Sequence, residues 1–155
     1  MEQTSINSAE EAEQPPWAEI LGETPLRWVV GFSDFAKPRW FTRFMKPGTA
    51  HVFTLGYLPI SNRWLVVQHC FNTLEICLLT PQRVLDFTIM MEEFNTTYVN
   101  CLPVRKQQLV LRGNMNCVSV TKHLLGMKAP FVWTGAQLKA HLINGGAKDL
   151  GDWNG

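Results

Sequence analysis

No run of apolar residues in this chain approaches the roughly 20 needed for a helix to cross a bilayer; a stretch such as Trp64 to Val67 has the length of a strand. Lysine and arginine form no cluster. With 14 basic against 13 acidic side chains the formal net charge is +1, so an electrostatic grip on nucleic acid is not expected. A secretory leader would need a basic start and an apolar core, whereas Met1 to Gln14 is polar and carries Glu2, Glu10, Glu11 and Glu13. The four cysteines, Cys70, Cys77, Cys101 and Cys117, include no C-x-x-C pair and match no zinc spacing. His69 and Cys70 are adjacent, so in a strand they point to opposite faces and share a metal poorly. These absences exclude a membrane span and predict free thiols, no metal and no cofactor. They place the product in a host cytoplasm or in a particle assembled there.

What is present fits one α+β domain: 155 residues, 46% of them hydrophobic, are enough to bury a core. The expected division is a flexible tail over 1–16, a single domain over 17–146 and a polar C-terminal tail over 147–155. Trp17, at the boundary of the N-terminal tail, and Trp153, in the C-terminal tail, are apolar anchors suited either to a protein partner or to closure over the chain's own core.

Along the domain, Arg27 to Phe32 reads as a first strand and Pro38 as the start of a short helix carrying Trp40, Phe41 and Phe44. Lys46-Pro47-Gly48 breaks it. His51 to Tyr57, Trp64 to Phe71 and Thr73 to Leu79 read as an antiparallel meander, rich in β-branched and aromatic residues. Thr80-Pro81 opens a helix with Val84, Leu85, Thr88 and Met91 at helical spacing, stopped at Asn95. Thr96 to Leu102 and Gln107 to Leu111 suggest two more strands. Asn116 caps a helix from Cys117 to Leu125 that Gly126 ends, and Thr134 to Ile143 forms the last helix, before Gly145-Gly146.

The chemistry centres on Cys117. A thiol in the first turn of a helix meets free amide donors and the positive end of the helix dipole, which favour thiolate. The Cys117 amide can also donate to an oxyanion. The other three cysteines read as small buried hydrophobes. Of the four histidines, His123 lies round the helix from Cys117 and His141 has no local partner. His51 opens a strand, and the returning strand offers Gln68 or His69 to orient it, the third member that a nucleophile–base pair calls for.

Lys46-Pro47-Gly48-Thr49-Ala50-His51-Val52-Phe53 resembles the histidine strand of small, circularly permuted papain-like (NlpC-type) cysteine peptidases and amidases of bacteria and their phages. Asn116-Cys117-Val118-x-x-x-Lys122-x-x-Leu125-Gly126 resembles their cysteine helix, and Thr134-x-x-Gln137-Leu138 the helix that follows. The histidine precedes the cysteine, as in permuted members, and the resemblance runs from about Arg27 to Leu142. It implies a permuted papain-like fold and a Cys117–His51 thiolate–imidazolium pair. The third residue would be Gln68, which stands where relatives carry a polar group, with His69 as the alternative. The implied substrate is a peptide or amide bond, cell-wall peptides included. Relatives often carry an acidic residue on the second strand and a proline and an aromatic where this chain has Gly135-Ala136. Two other outcomes share the fold: acyl transfer instead of hydrolysis, and a catalytically inactive component of a phage virion.

The tail carries like charges and no periodic apolar residues. Deleting Met1 to Gln14 is expected to leave the melting temperature nearly unchanged; a large drop in a thermal melt would show that the segment is structural.

Overall fold

The structure, a computed structural model, describes residues 24–35, 44–70, 73–102, 115–151 and 153. The expected helix at Pro38, the expected strand at Gln107 to Leu111, the N-terminal tail and Trp17 lie outside the described residues. Within them the chain is α+β. Six strands form one antiparallel sheet: β1 (Arg27–Ser33), β2 (His51–Leu58), β3 (Arg63–Cys70), β4 (Thr73–Leu79), β5 (Thr97–Cys101) and β6 (Lys148–Gly151). Three helices accompany it: α1 (Pro81–Glu92), α2 (Cys117–Leu124) and α3 (Gly135–Asn144). The strand order is β4-β3-β2-β1-β5-β6, so the meander from β2 to β4 forms one half and β5 and β6 complete the other side of β1.

Alternation along the strands sorts the core into two clusters. Trp28, Val30, Phe32, Val52 and Val99 face Val118, Leu125, Leu138 and Leu142 of the α2–α3 region. Val29, Phe53, Leu55, Val66 and Tyr98 turn the other way and pack with Met91, Phe87 and Phe94 in and just after α1. The sheet is therefore covered on both faces, which accounts for the nearly continuous burial of β1 and β2.

The helix starts follow from local chemistry. Thr80 accepts from the Arg83 amide, with Pro81 in the first turn. Asn116 with Ser119, and Thr134 with Gln137, form reciprocal capping boxes on α2 and α3. Gly126 follows α2 at a φ of 66°, the left-handed conformation that ends helices at low cost in glycine.

The C-terminal segment departs from the expected tail. Residues 148–151 form β6, paired with β5 across a register shift at Tyr98/Val99. Lys139 of α3 fastens it, its ammonium 3.6 Å from the Asp149 carboxylate and donating to the Thr97 hydroxyl at 2.8 Å. Trp153 packs on Trp64 and Tyr98, with ring centroids 5.6 and 5.5 Å away. A short polar strand is hard to recognise from pattern alone because its stability comes from the neighbour it pairs with.

α3 is seated against the start of β2 through a close backbone approach: a Cβ on Gly135 would lie 2.4 Å from the Thr49 carbonyl oxygen and 3.2 Å from Val52 Cγ2. Glycine is needed here for space. Gly135→Ala is expected to destabilise the domain by about 1–3 kcal/mol through overpacking, read as a lower midpoint in urea at unchanged slope.

Candidate functional site

His51, Gln68 and the start of α2 lie toward one end of β2, but Cys117 packs with the Val52 cluster, whereas His51 turns with Phe53 toward the other face of the sheet. The chain enters this strand through a pinned turn. Gly48, at a φ of 72°, donates its amide to the Asp34 carboxylate at 2.7 Å, and Asn95 Nδ2 donates to the same carboxylate at 3.4 Å. Thr49 closes the turn by donating its hydroxyl to the Lys46 carbonyl at 2.6 Å. His51 therefore begins β2 from a fixed position.

β2 is longer than its ladder with β3. Its pairing with β1 reaches Ser33 opposite His51, while its pairing with β3 stops at Phe53 opposite Gln68. Beyond that last rung the backbone of β2 is available to other partners. α2 takes the place: the backbone N–H groups of Val52, Val118 and Cys117 all point at the Cys117 sulfur. The thiol is thus tied to the residue that follows His51 and to the first turn of its own helix.

The His51 side chain is buried. Its ring stacks near Phe53 and meets Phe35 edge-on, at centroid separations of 6.2 and 6.1 Å. Nε2 lies 3.4 Å from Gln68 Oε1 and 4.0 Å from Cys70 Sγ. Gln68 in turn donates through Nε2 to Glu75 Oε2 at 2.5 Å. The relay has a direction. A carboxylate only accepts, so the amide NH2 must face Glu75 and the amide oxygen must face His51. Nε2 is then the protonated nitrogen and Nδ1 the basic one. His69, the alternative third residue, sits in β3 opposite Leu74 and is buried; alternation turns it to the other face of the sheet from Gln68. The structure thus brings Gln68, and not His69, to the His51 ring.

Among the described residues no hydrogen bond joins Cys117 Sγ to the imidazole; the sulfur that borders the ring is Cys70. Cys117 and Cys70 are close enough to interact electrostatically. Two participants were not singled out in the sequence. Glu75 lies seven residues beyond Gln68, across the β3–β4 hairpin, and the Gln68–Glu75 rung of that hairpin was its available signal. Cys70 was taken as a core residue. The expectation of three buried structural cysteines holds only for Cys101, since Cys70 is half-buried and Cys77 exposed. Cys77 lies on the edge strand β4 and Cys70 at the end of β3, placements that sequence pattern does not reveal.

Electrostatics also correct the expected thiolate. Burial pushes the Cys117 thiol above its ordinary range, and the three backbone N–H groups only partly pull it back. Burial lowers the His51 pKa; Gln68 and Glu75 counter it in part, and His69 adds to the lowering. The resting pair is thiol and neutral imidazole. Desolvation of either ion outweighs what one helix turn returns. No group of three or more His, Cys, Asp or Glu able to hold a metal ion occurs among the described residues.

No protein-family model, curated protein or solved structure matches this chain.

The lowered His51 pKa sets a pH dependence. The unfolded chain takes up this proton near the ordinary value of about 6.5, while the folded chain resists it until a lower pH. The corresponding stability is present above about 6.5 and is lost as pH falls from there through the folded pKa. Thermal melts across this window should show a declining midpoint, with a shallower decline in His51→Gln. An unchanged slope in that variant would assign the effect elsewhere.

Proposed function

We propose that the chain is a cysteine hydrolase of permuted papain-like architecture, acting on a peptide or amide bond, with Cys117 as nucleophile, His51 as general base and acid, and Gln68 orienting His51. The observation that carries this reading is the directed Glu75–Gln68–His51 relay, together with a Cys117 thiol that accepts from the backbone N–H of Val52, the residue after His51. The relay leaves His51 Nδ1 as the base, and Glu75 supplies, one strand further out, the carboxylate that relatives often carry on the second strand.

In the reaction, the Cys117 sulfur attacks the carbonyl carbon while its proton passes to His51 Nδ1. The imidazolium returns that proton to the leaving amine as the C–N bond breaks, leaving a thioester on Cys117. Water, deprotonated by His51, then attacks the thioester, releasing the acid and restoring the thiol. Backbone N–H groups at the start of α2 supply donors for the oxyanion. Because thiol and imidazole start neutral, the ion pair forms only as substrate binds and the ring closes on the sulfur; hydrogen bonds in unliganded sites are commonly longer than in the reacting complex.

A second reading has its own observation. The raised thiol and the lack of a sulfur–imidazole hydrogen bond equally fit an inactive protein of the same architecture serving as a structural component, such as a virion part.

An electrophilic probe built on a peptide-like carbonyl separates the two. Under the hydrolase reading it labels Cys117, Cys117→Ala removes the label, and His51→Ala slows labelling by about 10²–10⁴-fold, the usual contribution of a general base. Labelling that falls only on exposed Cys77, with Cys117 inert up to alkaline pH, would establish the structural reading instead.

A further inference from the structure

The two edges of the sheet are built differently. β6 is guarded: it has four residues, exposes Lys148 and Asp149, and pairs through a register shift. Short length, charge and irregularity are the usual means of preventing an edge from recruiting another strand. β4 is neither short nor irregular. Its seven residues, TLEICLL, pair with β3 in unbroken register from Thr73 to Leu79. They contain no proline and no lysine, and one charge, Glu75, which is exposed and bonded to Gln68 of the neighbouring strand. Among the described residues β4 has no strand neighbour on its outer side. Its side chains are nonetheless apolar, with Ile76 and Leu78 60% and 59% exposed. Leu74, Ile76 and Leu78 lie opposite His69, Val67 and Leu65 and so share one face of the sheet.

We propose that β4 is the interface through which two copies of this chain associate edge to edge, joining their sheets into one antiparallel sheet of twice the width. The occupant follows from the strand's own pattern, which is self-complementary about its centre. With a two-fold axis through Ile76, antiparallel pairing sets Ile76 against the second copy's Ile76, and Leu74 against its Leu78. Six aliphatic side chains then form one continuous stripe. Glu75 falls opposite the second copy's Cys77, so no like charges stand directly across from each other, the arrangement that destabilises strand pairs. A one-residue slip would oppose Glu75 to an aliphatic residue and break the stripe. Pairing also satisfies the outward N–H and C=O groups of β4. Because the interface is isologous it uses up both β4 edges, and the guarded β6 edges at the two ends stop further growth. A closed dimer is expected rather than a filament.

Sedimentation equilibrium of the full chain, under reducing conditions so that Cys77 forms no disulfide, should give the dimer mass at tens of micromolar. Ile76→Lys should weaken association at least tenfold with an unchanged circular dichroism spectrum. In a Cys77→Ser background, adding Ile76→Cys should create a new covalent dimer with a short thiol-to-thiol cross-linker, which the background protein lacks. A protein that is monomeric throughout this range overturns the proposal, as do a dimer indifferent to Ile76→Lys and an Ile76→Cys protein that does not cross-link. Assemblies that keep growing beyond the dimer would equally overturn it, because they require the β6 edge to pair.

Discussion

Everything at the candidate site depends on where the β2–β3 ladder ends. Pairing stops at the Phe53–Gln68 rung while β2 continues to His51 along β1. Had the ladder run to the ends of both strands, main-chain groups near Val52 would be engaged within the sheet, and the N-terminus of α2 would have no backbone donor to meet. The early stop leaves one strand edge open inside a covered sheet, and the first turn of α2 brings Cys117 to it. His51, Gln68 and Cys70 cluster around the same point because they occupy the last positions of the two strands. The pinned Asp34–Gly48 contact keeps the entry to β2 from shifting.

Burial then determines the charge state. A helix N-terminus and three amide donors favour thiolate, yet the sulfur and the imidazole are both withdrawn from water, and desolvation pushes each toward neutrality. The Gln68–Glu75 contact that fixes the histidine tautomer lies instead at the exposed end of the relay. Thiol and imidazole thus both rest neutral, and the imidazole is oriented from β4 through Gln68.

β4 links this chemistry to the outside of the molecule. Its Glu75 terminates the relay, while Ile76 and Leu78 lie uncovered beside it. Whatever orders this strand therefore also orders the support behind His51.

The sequence by itself determined the elements that rest on local chemistry. The caps at Thr80, Asn116 and Thr134, the breaks at Gly48 and Gly126, and the alternation of β1 to β4 are statements about neighbouring residues, and the antiparallel α+β class follows from them. Cys117 at a helix start and His51 at a strand start were legible for the same reason; alternation showed only that one of Gln68 and His69 could face His51, and the β2–β3 register decided for Gln68. Only the tertiary structure decided the rest. β6 exists because β5 and Lys139 hold it. Gly135 is required because a carbonyl from another element lies against it. Glu75 and Cys70 join the site through hairpin pairing. The thiol is neutral because burial, a property of the whole assembled fold and not of the Asn116–Cys117 helix start, sets the cost of its charge.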